Sequence, residues 1–587
     1  MCSNAPVGVL STETNPEVGT LVTDARSSRR RRRVSRSQIA LAAVVASAIL
    51  GVAAVALGPR LAAGLFAPAA PTVAAPPPAF TEVAAAAGIE HRYDGEFSYF
   101  VGGGVAALDC DGDDRLDLFL AGGAEPAALF ANRTPTGGAI TFERRPSAAT
   151  DLTDVTGAYP LDIDADGSLD LAVLRRGQNV VLRGLGDCRF EPANERFGID
   201  GGDGWTTAFS ATWEDDAALP TMAFGDYVIV DDDGQATPDC ATNALVRPAA
   251  DGTTYDQPIV LDPGWCTLSM LFSDWDRSGR RDLRVSNDHH YYRDGQEQLW
   301  RIEAGRPPSE YQRDDGWARL QLFGMGIASH DLTGDGYPEV FLTSQGDNKL
   351  QTLVDGPARP LYEDIALRRG ATAHRPFTGG DILPSTAWHP AFADVNNDGF
   401  IDLYISKGNV EGQEDYAMRD PSNLLIGQAD GTFVEGAEAA GMVDFARARG
   451  AAVVDLDGDG WLDIVQVVRR EPVRIWHNRG VAANPDAALE AHWLAVKLEQ
   501  AGANRDAVGA WLEVRSGAWR IEHEVVVGGG HVSGRAGPIH VGLGPVTSPD
   551  VRVTWPDGEV GPWQTVAADR VVTIARDAAP ADRTPAP

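Results

Sequence analysis

DLDGDGWLD, residues 455–463, places four aspartates and two glycines in nine positions, between the apolar runs VV and IVQVV. Asp and Gly suit tight turns, and water screens exposed charge, so a single copy reads as a solvated acidic turn. A second reading is chemical. Asp455, Asp457 and Asp459 alternate so that their carboxylates converge, Gly460 permits a sharp bend, and Asp463 returns to close an oxygen cage. Such a cage suits Ca2+, which takes six to eight oxygen ligands in a flexible shell.

Repetition decides between the two. The pattern recurs as DCDGDDRLD (109–117), DIDADGSLD (162–170), DWDRSGRRD (274–282), DLTGDGYPE (331–339) and DVNNDGFID (394–402). The expected ligands are Asp109, Asp111, Asp113 and Asp117; Asp162, Asp164, Asp166 and Asp170; Asp274, Asp276, Ser278 and Asp282. The later copies supply Asp331, Thr333, Asp335 and Glu339; Asp394, Asn396, Asp398 and Asp402; and Asp455, Asp457, Asp459 and Asp463. The opening resembles an EF-hand loop, but the closing acid comes three residues after the glycine and β-like runs flank it. Successive starts are 53, 112, 57, 63 and 61 residues apart, and 112 is twice 56. A decayed copy is therefore expected within 211–227, which makes seven repeats.

Repeats of this length with several short strands apiece mark a β-propeller. Each unit also carries a later hairpin signal, as in NLLIGQADGTFVE (423–435), followed by an aromatic, an acid and a glycine. The last repeat stops at VRIWHNRG without that piece, while FTEVAAAAG (80–88) stands alone ahead of the first loop. Residues 80–88 are thus expected to complete the blade that ends near Gly480.

The Asp loops resemble FG-GAP/VCBS repeats of the integrin α-chain propeller type. The tail, with HWLAVKLEQAGANRDAVGAWLEVRSG (492–517), GGGHVSG (528–534), HVGLG (540–544) and VRVTWPDGEV (551–560), is similar to an ASPIC/UnbV domain. The order of parts resembles the cartilage acidic protein family. That resemblance implies a propeller and bound calcium, and no single activity. Asp114 in place of the loop glycine, Ser278 at a ligand position and Glu339 as closer depart from the pattern. The expected fold is all-β: a seven-bladed β-propeller with calcium-binding Asp loops, a small C-terminal β-rich domain and an N-terminal transmembrane helix.

The segment SSRRRRRVSR precedes twenty uncharged residues, 39–58, long enough to span a bilayer. The arginine cluster predicts a single-pass anchor with a cytoplasmic N-terminus and an extracytoplasmic propeller. Secretion after cleavage near TVAAP (72–76) is the alternative. The expected parts are a basic N-terminus (1–37), the anchor (38–58), a Pro/Ala-rich linker (59–79), the propeller (80–480), a linker (481–490), the ASPIC/UnbV-like domain (491–576) and a disordered tail (577–587). Residues 1–79 carry eight Arg against three acids, net +5, so the remainder carries −38 of the total −33. An acidic body of that size repels nucleic acid. Cys110, Cys188, Cys240 and Cys266 allow three disulfide connectivities. The favoured pairs are Cys110–Cys188 and Cys240–Cys266; free buried cysteines are the alternative.

No G-x-S-x-G, H-E-x-x-H or P-loop occurs, and VGGGV (101–105) and VGGGHVSG (527–534) lack the strand-to-helix setting of a phosphate loop. No catalytic or cofactor residue is therefore assigned. SNDHHYYRDG (286–295), with Asp288, His289 and His290, reads as an exposed loop; His374 and His389 are placed at the same mouth. The leading function is a membrane-anchored calcium-binding interaction module for a cell-surface protein or glycan, using Trp205, Trp213, Tyr291, Tyr292 and Trp388. An enzyme or biosynthetic accessory with its site in the central mouth, and a structural surface protein, are the alternatives.

Overall fold

The computed structural model describes residues 70–231, 235–288, 295–372, 386–411, 420–481, 491–576 and 581–583. Seven four-stranded antiparallel sheets follow one another along the chain. Sheet I contains Val105–Leu108, Asp117–Leu120, Ala128–Asn132 and Phe142–Arg144. Sheets II to VI begin with Val155–Leu161, Thr206–Thr212, Thr267–Ser273, Gly324–His330 and Ala387–Ala393. Sheet VII combines Ala448–Val454, Asp463–Val468 and Arg474–Asn478 with Phe80–Glu82.

The sequence explains the order of burial within a sheet. First strands are made mostly of small and apolar residues, as in ARGAAVV, and are buried over most of their length; last strands such as Phe142–Arg144 bury far less. An edge strand with one solvated face needs alternation, whereas a strand covered on both faces does not. First strands of successive sheets lie side by side from I to VII, and that of VII lies against that of I. The arrangement is all-β and propeller-like.

Each Asp loop joins a first strand to a second, and its ninth residue opens the second: Asp117, Asp170, Asp282, Glu339, Asp402 and Asp463. In sheet III the same turn has lost its carboxylate spacing. There Glu214 accepts a hydrogen bond from Thr221 Oγ1 (2.7 Å) and pairs with Arg247 (2.7 Å). Phe80, Thr81 and Glu82 pair with Asn478, His477 and Trp476. Deleting residues 80–88 should therefore speed amide exchange at Arg474–Asn478 in hydrogen-exchange mass spectrometry, with sheet III unchanged; unchanged exchange at 474–478 would refute the pairing.

The C-terminal region forms two further sheets. One holds His492–Glu499, Ile539–Gly544, Arg570–Ala575 and Ala581–Arg583; the other holds Trp511–Ser516, Trp519–Glu524, Asp550–Thr554 and Gln564–Thr565. Leu494, Leu512, Val541 and Val553 are among its core residues. Ala581–Arg583, placed by sequence in a disordered tail, pairs with Val571–Thr573. Disulfides join Cys110 to Cys188 and Cys240 to Cys266.

The membrane anchor is corrected. Among the described residues no helix is long and apolar enough to cross a membrane. The α-helices there are single turns, Asn194–Phe197 and Ala366–Arg369. At 1.5 Å per residue each is about 6 Å long against a hydrocarbon core of about 30 Å. Residues 38–58 lie outside the described residues.

Candidate functional site

All six Asp loops begin alike. The first acid folds back on its own loop: Asp455 accepts the amides of Gly458 (2.7 Å) and Gly460 (2.9 Å), and Asp109 those of Gly112 (2.7 Å) and Asp113 (3.1 Å). Asp162, Asp274, Asp331 and Asp394 accept amides in the same way. The ninth acid has a different task. Asp463 takes the amide of Leu456 with one oxygen (3.0 Å) and that of Asn478 with the other (2.8 Å), stapling the loop to the third strand. Asp117, Asp170 and Asp402 repeat this bridge.

These carboxylates are costly to ionise where they lie. Burial pushes Asp117, Asp170 and Asp455 up to about 7, Asp162 up to about 6, and Asp463 well above the usual carboxylate range. A buried carboxylate needs a cation, a set of donors or a proton. In three loops the first, third and ninth acids converge. Asp109, Asp111 and Asp117; Asp162, Asp164 and Asp170; and Asp455, Asp457 and Asp463 each bring oxygens within 4.8 Å of one another. Arginines meet part of the demand. One oxygen of Asp111 accepts from Arg133 (2.7 Å) and one of Asp164 from Arg183 (2.8 Å). Their other oxygens, and Oδ1 of Asp162, are buried with no hydrogen-bond partner. A hard cation fits those orphaned oxygens. At the third loop His477 Nε2 stands 3.2 Å from Asp457, and Asp459 joins that pair. Asp113 and Asp166 turn aside to Arg115 and Arg183.

The other three loops are built differently. At 274–282 Arg280 lies on Asp282 (2.9 Å), which also accepts from Trp275 Nε1 and Tyr311. That guanidinium offsets the acids as a metal would, and it is 3.8 Å from Asp276; the Ser278 hydroxyl accepts the amide of Arg280 (3.4 Å) while its own amide donates to Asp276 (3.2 Å). At 331–339 the longer Glu339 accepts the amides of Leu332 and Thr333 and the hydroxyl of Thr352, while Asp335 accepts the amide of Tyr337. At 394–402 the loop lies beneath other chain segments: Asp398 accepts the amide of Ala75 (2.6 Å) and bonds Asn396, and Asn397 bonds Gly460 O and His540.

The stretch VGGGHVSG, which the sequence leaves without a role, lies at the junction of all seven first strands. Val527 O accepts from Ala211 N (3.1 Å) and Ser210 Oγ (2.6 Å); Gly529 N donates to Met270 O and Gly530 N to Ile327 O, both 2.7 Å. Gly529 O accepts from Tyr159 (3.2 Å), His531 N donates to His389 Nδ1 (3.0 Å), and Ser533 Oγ accepts from Val105 N (3.1 Å). Gly450 abuts Ser533, and Gly534–Ala536 adds to sheet I as a parallel fifth strand. Gly528, Gly529 and Gly530 have φ of 132°, 72° and 59°, a path open to glycine at little cost. The alternative reading put an enzymatic site in a central mouth; this segment fills the junction of the first strands.

Several expected site residues are corrected by burial. Trp205, Trp213 and Trp388 are 0%, 4% and 0% exposed, so they are core rather than binding aromatics. Trp388 is clasped between His531 (4.9 Å) and Arg449 (4.3 Å). Asp288 is buried against Tyr227 (2.8 Å) and pushed up to about 7. His389 is buried and held at about 4. His289, His290, Tyr291, Tyr292 and His374 lie outside the described residues.

This all-β, propeller-like chain with Asp loops carries two recognisable modules. An FG-GAP-like repeat matches residues 331–405, and the ASPIC and UnbV family matches residues 500–581. The chain is also 23% identical over 252 residues to Cartilage acidic protein 1 of Xenopus tropicalis, across 40% of this chain and 34% of that protein. It therefore spans about a third of that relative's length. Among solved structures, a lectin from Agrocybe aegerita that recognises non-reducing terminal N-acetylglucosamine aligns with a TM-score of 0.36 at 16% identity, covering 64% of this chain and 91% of that one. Rhamnogalacturonan lyase YesW aligns at 0.29 and 11%, covering 67% and 92%. The fold assignment rests on this chain's own strand pairing.

Proposed function

We propose that the seven sheets are the blades of one closed ring and that the protein is an extracytoplasmic, calcium-stabilised module for binding another protein. The observation that carries the calcium reading is the convergence of three buried or half-buried acids in each of three loops, with orphaned oxygens on Asp111, Asp162 and Asp164. Two disulfides agree with an oxidising compartment. The FG-GAP-like repeat supports an interaction role, and the acidic surface favours a partner with basic patches.

Calorimetric titration with Ca2+ tests the reading. Three equivalents are expected, one of them lost in Asp164→Asn and none in Asp276→Asn, whose loop has Arg280 in place of a metal. No heat of binding, or equal losses in both variants, would refute it. A partner captured by the intact protein should be released by chelation and recovered on adding Ca2+ back.

A further inference from the structure

The Cys110–Cys188 bond lies inside one of the three loops with converging acids. Cys110 is the second residue of DCDGDDRLD, between Asp109 and Asp111, and Cys188 belongs to the turn 185–189 that joins Val180–Gly184 to Phe190–Pro192 in sheet II. The tie therefore closes a separation of 78 residues and links two neighbouring sheets. Cys110 N donates to Asp117 Oδ2 (2.8 Å), Cys188 N donates to Cys110 O (3.0 Å), and Cys188 Sγ stands 3.4 Å from that same Asp117 oxygen. Both sulfurs and a carboxylate oxygen of Asp117 lie within 4.8 Å of one another.

The other loops are anchored by packing. Their second residues are Ile163, Trp275, Leu332, Val395 and Leu456; four of these are buried, and Leu332 packs against the core. Burying a large apolar side chain holds such a loop down. Cys110 has a smaller side chain, and its hold is covalent. The backbone of this loop is also less at ease. Where Gly167, Gly279, Gly336, Gly399 and Gly460 have φ between 84° and 90°, Asp114 has φ of 65°, a left-handed conformation that an L side chain resists. Of the three converging sets, this one has two half-buried acids, Asp109 and Asp111, against one in each of the others.

Reduction would change what these sulfurs do. Exchange with an external dithiol breaks the S–S bond, closes the dithiol to a cyclic disulfide and leaves its two protons on Cys110 and Cys188. The oxidised sulfurs carry no proton, whereas a Cys188 thiol is a donor 3.4 Å from Asp117 Oδ2. It would compete for that carboxylate while Cys110 is released. The turn holding Cys188 lies at the surface, with Leu185, Asp187 and Arg189 exposed, which gives a reductant an approach.

We propose that the Cys110–Cys188 bond is a redox gate on the calcium site of loop 109–117. Oxidised, it keeps Asp109, Asp111 and Asp117 convergent; reduced, that loop gives up calcium while loops 162–170 and 455–463 keep theirs. The proposal rests on the calcium reading above and adds a regulation to it.

Calorimetric titration of the full chain with Ca2+ tests it, on wild type before and after dithiothreitol, with thiols counted by alkylation and mass spectrometry and the fold followed by circular dichroism. Oxidised wild type should bind three equivalents. Once Cys110 and Cys188 are reduced, one of the three should weaken tenfold or more and return on reoxidation. Cys110→Ser/Cys188→Ser should show the same loss without reductant. Cys240→Ser/Cys266→Ser should keep all three, since Cys266 stands at the opposite end of Thr267–Ser273 from the loop 274–282. No heat of binding in oxidised wild type would refute the calcium reading, and the gate with it. Three unweakened equivalents in reduced wild type or in Cys110→Ser/Cys188→Ser would overturn the gate alone. Loss of the folded spectrum in both would also overturn it, because the bond would then hold the whole fold rather than one loop.

Discussion

Removing Ca2+ with a chelator should lower the melting temperature by about 4 °C relative to roughly 1 mM Ca2+. A site with a dissociation constant of about 0.1 mM adds about 1.4 kcal/mol at that concentration, so three add about 4 kcal/mol. The unfolding entropy of about 2.1 cal/mol/K per residue, over roughly 500 residues, sets about 1 °C per kcal/mol. The count of sites is therefore readable in the shift, since six equal loops would move it by about 8 °C. Differential scanning calorimetry makes the measurement. An unchanged transition would leave the loops as acidic turns held by amides and arginines alone.

Substituting Gly104 or Gly157 by alanine should destabilise the protein by about 3 kcal/mol, because the added methyl meets backbone that cannot swing aside. A Cβ at either position would overlap the carbonyl oxygen of Val532. The first strands of sheets I and II would then have to part, or Val532 would have to leave its place among them. Gly112 offers the contrast. It has a φ of 76° with nothing within 4 Å of the new methyl, so Gly112→Ala should cost only the backbone penalty of about 1 kcal/mol. Urea denaturation of the three variants compares them. Equal losses would show that Val532 does not fix the first strands.

What the sequence made legible follows from how local the chemistry is. An Asp loop states its turn, its strand boundaries and its closing acid within nine residues, so six first-to-second strand turns could be placed from their spacing. The pairing of Phe80–Glu82 with Arg474–Asn478 was readable because one repeat lacked a piece that another stretch supplied. The loops nevertheless share a motif without sharing an environment. Arg133, Arg183 and His477, which reach the converging acids, come from the third strands or the residues just after them; Arg280 lies inside its own loop and still decides what Asp282 does. The glycines of VGGGHVSG signalled an unusual backbone path, but their partners are spread from Val105 to Gly450. Trp205, Trp213 and Trp388 looked available for ligands because sequence carries no record of what packs over them.

The long span between paired segments sets an order of events during synthesis. Phe80–Glu82 leaves the ribosome some 390 residues before its partner strand, a wait of roughly 20–80 s at about 5–20 residues per second. Val527–Ser533 appears later still, after every first strand it touches. Until then the nascent chain holds a row of sheets in which Arg474–Asn478 is missing opposite Phe80–Glu82 and Val527–Ser533 is missing between the first strands, the kind of exposed edge that invites pairing with a neighbouring copy. Productive folding is thus a contest between the arrival of residues 474–533 and aggregation. Slowing translation across the codons for residues 450–533 should lower the yield of native protein more than slowing it across those for 80–140.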